Sequence, residues 1–398
     1  MLKLTRLLYD ACEVEKSFII SMIDKMEIKE CYYWLFELYY SKLDIVHIIW
    51  ELYLDYYSVL NPKMENYIIK RLKMWEKDNS IEHICYIIKN LHVLSISNDV
   101  FILRQLCKQD DLHVTKINER RGRPPTWTKK YKKEHIALLT SVKKRQFNNI
   151  CYYINVLLQR GDGEALYKDL ILYYATEQGY NEDNEDNEDN EDNEDNEERK
   201  SELLKIIKKN WEEKVKNNCL HYLLAIICQM NVADNDIQEQ KIYIVPNKKD
   251  IEEIKMRYQD DNDVPAYKML SKKRCYNVDK KIGIFSDLPR FKFSSQNEYR
   301  CEILMHWEYY AYKTPFWREI IDKYGGSINE EMRTVEFKDD SMDLFYNLYG
   351  YELDEQPLYL QNMSLDCIDY IHYLGVNNEN NNLFVTSIEY PENFVLFT

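Results

Sequence analysis

Glycine and proline are scarce in this chain, with nine of each in 398 residues. So small a supply of turn formers argues against a sandwich of many short strands and favours helices joined by brief connections. Long apolar runs are missing as well: the nearest, Ile45 to Leu54, is broken by His47 and Glu51, so no membrane association is expected. The N-terminus, Met1-Leu2-Lys3-Leu4-Thr5-Arg6, lacks the apolar core and small-residue cleavage site of a secretory leader. No CxxC pair occurs among the ten cysteines, which are scattered from Cys12 to Cys367. They read as reduced thiols of an intracellular protein.

Local catalytic signatures are absent too. There is no GxxxxGK[ST] loop, no GxGxxG after a strand, no GxSxG and no HExxH, which removes the usual phosphate cradles, nucleophile elbows and zinc-protease helices. Gly161-Asp162-Gly163 and Gly325-Gly326 read as helix breaks, and Asp354-Glu355 as a solvated loop. The pairs Cys107/His113, Cys301/His306 and Cys367/His372 are five or six residues apart. On a helix an offset of five turns two side chains about 140° apart, a poor geometry for one tetrahedral ion. No catalytic residue, metal ligand or cofactor is assigned. An enzyme assembled from distant residues is the third-ranked reading.

What is present is helical periodicity. Hydrophobic residues make up 45% of the chain and include 34 tyrosines, enough to bury sizeable cores. Trp34, Leu35, Leu38 and Tyr39 mark a helix ending near Ser41. Ile45, Ile48, Ile49, Leu52, Tyr53 and Tyr56 lie on one face of the next, which Asn61-Pro62 ends. Met64, Tyr67, Ile68, Leu72 and Trp75, then Ile81, Ile84, Cys85, Ile88 and Leu91, repeat the pattern. The spacing predicts further helices over 133–159, 201–230, 298–312, 315–324 and 340–349, with Trp34 and Trp75 buried on facing helices and Trp317 packing the C-terminal module in the same way. Short β-prone runs stand at Ile242–Val245 and Ile282–Phe285, and a terminal strand is expected in the last twenty residues. The expected fold is all-α dominated: a helical bundle over 1–112, a basic linker over 113–135, a helical segment over 136–180, a disordered acidic repeat over 181–200 and an α-rich module with minor β over 201–398.

Charge is distributed unevenly. The triplet Asn-Glu-Asp recurs five times from Asn181 to Asp195, and residues 181–198 hold twelve carboxylates and no apolar side chain. Such a tract has nothing to bury against its ordering entropy. By contrast, residues 116–146 hold eleven Lys/Arg against two Glu, a net of about +9 in a chain of −15, and like charges this dense relax when an anionic partner docks. The candidate nucleic-acid-binding residues are Arg120, Arg121, Arg123, Trp127, Lys129, Lys130, Lys132, Lys133, Lys143, Lys144 and Arg145. Arg121-Gly122-Arg123-Pro124 matches the core of an AT-hook, in which two arginines lie in a narrow A·T minor groove. Trp127 and Tyr131 are placed to stack on unpaired bases. The competing readings are a solvated loop between helical modules and an internal pairing with the acidic tract.

Two stretches carry resemblances. His306-Trp307-Glu308-Tyr309-Tyr310-Ala311-Tyr312-Lys313-Thr314-Pro315-Phe316-Trp317, Gly325-Gly326 and the run from Phe345 to Gln356, together with Cys31 to Tyr40, resemble uncharacterised proteins of large DNA viruses of the mimivirus and phycodnavirus kind, a family with no assigned activity. Ser17 to Pro62, with Tyr33-Trp34-Leu35 and a closing Asn61-Pro62, is similar to the helical collar of clamp-loader-like ATPases. That likeness implies only a helical fold. The function expected from these readings is a non-catalytic viral adaptor touching DNA or RNA through 116–146, inside the infected host cell in the viral factory or nucleus, or packaged in the virion. The alternative is a structural protein of the virion or viral factory with protein partners only.

Overall fold

The computed structural model describes residues 1–108, 133–163, 165–166, 170, 220–229, 231, 243–259, 261, 263–285, 287–338 and 340–353. The acidic tract, most of the expected 201–230 helix and the expected terminal strand lie outside them. The fold is all-α with minor β. Its N-terminal helices are α1 (Ala11–Ile23), α2 (Ile28–Tyr40), α3 (Ile45–Leu52), α4 (Met64–Asp78), α5 (Ile81–His92) and α6 (Asp99–Cys107). They are followed by α7 (Lys133–Lys143), α8 (Phe147–Gln159) and α9, the helix over 220–229. Then come α10 (Lys248–Met256), α11 (Met269–Lys273), α12 (Gln296–Met305), α13 (Trp307–Ala311) and α14 (Pro315–Lys323). The hairpin β1 (Ser327–Asn329) and β2 (Thr334–Glu336) precedes α15 (Ser341–Tyr349).

At the centre lies α2, whose residues from Cys31 to Leu38 are all buried; a helix covered on every side is a core helix. It packs on α1, on α5 and on α10. Trp34 is fully buried, edge-on to Tyr9 and Tyr33 with ring centroids 5.4 and 5.1 Å away. Trp75 is only half-buried, which corrects the expectation that it is buried as Trp34 is. Trp317 is fully buried, as its place behind Pro315 implied.

The shortage of glycine shows at the helix ends. Lys25, Lys42, Asn79 and Arg145 follow α1, α2, α4 and α7 with φ of 54°, 58°, 54° and 53°, taking the left-handed position that glycine usually fills. This explains one miss. The expected helix over 133–159 is two helices, because Arg145 turns the chain and the Gln146 amide reaches back to the Ser141 carbonyl at 2.9 Å. Since α7 and α8 both turn their apolar faces to the same core, the periodicity runs on through a turn that no glycine or proline marks. His306, with φ −135°, likewise divides the expected helix over 298–312 into α12 and α13. Gly325, with φ +72°, does end α14 as expected, and at Gly326 an added Cβ would lie 2.5 Å from Ile321 Cγ2.

Among the described residues neither β-prone run forms a strand. Lys280–Ile284 is a 3-10 turn. Ile244 has both backbone groups satisfied by one amide side chain instead of a neighbouring strand: Asn90 Nδ2 donates to its carbonyl at 2.9 Å and Asn90 Oδ1 accepts from its N–H at 2.8 Å. Among the described residues the sheet is the hairpin after Gly326, pairing Ser327 with Glu336, Ile328 with Val335 and Asn329 with Thr334.

The first residues of the chain are built into its C-terminal part. The Leu4 amide donates to the Tyr310 carbonyl (3.2 Å), Thr314 Oγ1 to the Leu4 carbonyl (3.0 Å), Trp317 Nε1 to the Thr5 carbonyl (2.9 Å) and Arg274 Nε to the Leu7 carbonyl (2.7 Å).

Candidate functional site

The π-helical turn Tyr53–Tyr57 continues α3, with the Ser58 amide bonded to the Tyr53 carbonyl at 2.8 Å. Such a bulge inserts one residue into a helix and re-aims the side chains beyond it. Here Asp55, within the turn, meets Arg104 of α6: Arg104 Nε donates to Asp55 Oδ1 at 3.1 Å and Nη2 pairs with Asp55 Oδ2. The same Nη2 lies 3.0 Å from Glu51 Oε1, one turn earlier. Lys16 of α1 closes the group, its Nζ 4.0 Å from Glu51 and 2.6 Å from Glu15. His221 of α9 stands with Nε2 3.7 Å from Asp55 Oδ1, beyond hydrogen-bond reach.

Electrostatics fix the charge states. Burial pushes the Glu51 carboxyl up, but Lys16 and Arg104 outweigh it and hold the group down to about 2. Burial lowers Lys16 and Arg104, and their acidic neighbours more than restore both, so each stays charged. His221 is pushed below its ordinary value, chiefly by burial, which favours neutral imidazole. The buried members of the group are two cations, Lys16 and Arg104, and two carboxylates, Glu51 and Asp55, with half-exposed Glu15 beside Lys16.

Ligand atoms of Glu51, Asp55 and His221 all lie within 4.8 Å of one another, a donor set that suits a divalent ion. Arg104 already occupies both carboxylates, however. An added ion would either displace the guanidinium or leave uncompensated positive charge in the interior, at large cost. The arrangement fits an ion network that ties α1, α3 with its π-helical turn, and α6 together, with His221 of α9 standing beside it.

A second buried cluster joins α1 and its cap to residues 290–299. Tyr299 Oη of α12 lies 3.1 Å from Asp10 Oδ2 and 3.2 Å from Glu13 Oε1, and Arg290 Nε donates to Glu13 at 2.5 Å. Asp10 also caps α1, accepting from the Cys12 amide at 3.0 Å. Burial first, then the Glu13 charge, push Asp10 up to about 8. Paired carboxylates are what acid–base catalysis uses, but Asp10 and Glu13 are 3% and 5% exposed and are engaged by Tyr299, Arg290 and the Cys12 amide, an arrangement that fastens the fold. The linkage has a definite sign. Between the unfolded value of 3.8 and about 8 the folded state holds a proton that the unfolded state has released, so this site's contribution to stability falls as pH rises. Asp10→Asn keeps the cap and should therefore gain stability relative to wild type as pH rises from 5 to 9. Denaturant titrations at pH 5 and pH 9 check this, and a deficit that is equal at both pH values would refute it.

Of the sequence-identified island residues, Arg120, Arg121, Arg123, Trp127, Lys129, Lys130 and Lys132 lie outside the described residues. Lys133 opens α7, and Lys143, Lys144 and Arg145 form its far end and the following turn, all four exposed. The two ends of α7 are about 15 Å apart along the helix. Inward from this rim, Leu138, Leu139 and Val142 of α7 and Ile150, Cys151, Ile154 and Leu157 of α8 are buried, so the cationic turn is fastened to the bundle. Of the Cys/His pairs, Cys301 is exposed on α12, while His306 Nδ1 meets the Arg333 carbonyl at 3.0 Å. His113, Cys367 and His372 fall outside the described residues.

Among the described residues no helix is long and apolar enough to cross a membrane. The class defined by these features is a helical protein fastened by two buried ionic clusters and carrying an exposed basic turn. No protein-family model matches the chain, and no curated protein or solved structure matches it either.

Proposed function

We propose that this chain is a non-catalytic adaptor that associates with DNA or RNA through residues 116–146, acting in replication or transcription of a large DNA virus within the infected cell. The observation that carries the reading is charge placement. A net of about +9 sits in one stretch of a −15 chain, and the described cations of that stretch, Lys133, Lys143, Lys144 and Arg145, are exposed on a hairpin whose opposite face is core. Concentrated surface charge of this kind binds phosphate through counterion release. Both ionic clusters described above have their charges used in holding the fold, which favours a binding role over chemistry. The alternative, an interaction protein with protein partners only, draws support from α15, where Met342, Leu344 and Leu348 are more than half exposed.

Replacing Lys143, Lys144 and Arg145 together by Glu tests the reading. These side chains point away from the core, so stability should change little, while the slope of log K against log[salt] should flatten by roughly 0.7–0.9 for each phosphate that is no longer neutralised. An unchanged slope would take this turn out of the interface. Arg121→Ala with Arg123→Ala should remove any A·T preference and leave nonspecific binding largely in place.

A further inference from the structure

Helices α4 and α5 pack side by side, and the extended run over residues 243–245 is held against both at two points. Asn90 of α5 clamps both backbone groups of Ile244, donating to its carbonyl at 2.9 Å and accepting from its N–H at 2.8 Å. The Tyr243 ring stacks on Tyr67 of α4, with centroids 3.9 Å apart and planes 11° from parallel. Both helix residues are fixed from within. Asn90 is fully buried, its Nδ2 also donates to the Tyr86 carbonyl at 2.8 Å and lies 3.3 Å from Tyr67 Oη, and that hydroxyl accepts from Arg71 Nε at 3.2 Å. The run itself is seated shallowly. Tyr243, Ile244 and Val245 are 43%, 38% and 66% exposed, and among the described residues no hydrogen bond reaches the backbone of Tyr243 or Val245.

We propose that Asn90 and Tyr67 form a docking site for an extended peptide segment of another protein, one with an aromatic residue directly before an aliphatic one, and that residues 243–245 occupy it in cis as a displaceable strap. A bidentate amide reads the N–H and C=O of one residue, a pair that every non-proline residue presents, so the clamp is indifferent to the side chain it holds. Selectivity comes from the position before it. The Tyr67 face takes a ring, which gains a stacking contribution that an aliphatic side chain does not supply and loses few rotamers on being fixed. The occupant is replaceable because little holds it: burial of apolar surface is what makes a segment hard to release, and its three large side chains all stay more than a third exposed. A peptide making the same two contacts in trans competes with a tethered segment whose effective concentration is in the millimolar range, so disabling the strap opens the site. Neither Asn90 nor Tyr67 belongs to the basic stretch, and the site stands independently of the nucleic-acid reading.

The probe is a fluorescein-labelled peptide Lys-Ile-Tyr-Ile-Val-Pro-Asn, the sequence of residues 241–247, titrated with the full-length protein and read by anisotropy. Tyr243→Ala with Ile244→Pro disables the strap, removing the stacked ring and the N–H that Asn90 accepts, and circular dichroism checks that the helices survive. This variant should bind the probe at least ~10-fold more tightly than wild type does. A probe N-methylated at the isoleucine that follows tyrosine leaves Asn90 Oδ1 unpaired and should bind about tenfold more weakly or worse. Alanine in place of the probe's tyrosine should cost about two- to tenfold. Hydrogen exchange on the wild type decides the matter if the variant misfolds: the Ile244 amide should exchange faster than the interior amides of α4 and α5, and excess unlabelled peptide, but not its N-methyl form, should speed it further. No binding to the variant, equal binding to variant and wild type, an N-methyl probe as tight as its parent, or an Ile244 amide as protected as the helices would overturn the proposal. A wild-type dimer that the double substitution dissolves would also overturn it, by making a second copy of the chain the occupant.

Discussion

Arg104→Ala should destabilise the protein by about 3–5 kcal/mol, because it leaves two buried carboxylates without the guanidinium that holds them apart. Asp55 is 1% exposed at its side chain and Glu51 10%, and the remaining cation, Lys16, is engaged with Glu15 at 2.6 Å and Glu51 at 4.0 Å rather than with Asp55. The loss should be read by urea denaturation at pH 7. Replacing Arg104 and Asp55 together by Met and Leu, which leaves Glu51 with Lys16, should recover most of it, since the cost of breaking a buried pair exceeds the pair's net contribution. A pH signature belongs to the same site. The Glu51 value falls from an ordinary 4.5 to about 2 on folding, so its contribution is fully present above pH 4.5 and is lost as pH falls toward 2. It amounts to about 3 kcal/mol. In Arg104→Ala that acid limb should shrink.

Trp317→Ala should cost a similar 3–5 kcal/mol, the range for truncating a large buried aromatic, and should also loosen the beginning of the chain. The indole packs edge-on against Trp307, Phe316, Tyr349 and Tyr351 with centroids 5.3–5.7 Å away. Its N–H holds the Thr5 carbonyl, which keeps only the bond from the Leu8 amide when the ring is removed. Amide exchange at Leu4 and Thr5 should therefore accelerate beyond the global loss of stability. If exchange there merely followed global unfolding, Trp317 would be filling volume without tying the two ends together.

The helical class and most of the N-terminal elements were legible because apolar residues at three- and four-residue spacing mark a buried face wherever a helix packs on one side. The hairpin of α7 and α8 was not, since Arg145 in place of glycine hid the turn. The extended run at Ile244 was half legible: its backbone does need partners, but they come from Asn90, 154 positions away. The two ionic clusters were harder still. Glu51 counted only as an interruption of an apolar run, although Glu51 and, just past the end of that run and one turn later, Asp55 were the available sign that buried cations meet them. Arg104 and His221 stand far away in sequence, and no spacing rule joins four helices. Nothing near Asp10 in the sequence singles it out, since Tyr299 stands 289 positions further along the chain.

The direct measurement for the adaptor reading is the binding of the full-length protein to a labelled duplex and to a labelled single strand, followed by fluorescence anisotropy across a salt series. An adaptor of this kind should bind measurably at about 50 mM salt and weaken steeply above it, with log K falling by about 0.7–0.9 per unit of log[salt] for each phosphate neutralised. No binding to either ligand at about 50 mM salt would contradict it, because the −15 charge of the whole chain would then have overridden the basic island at an ionic strength that favours electrostatic contact.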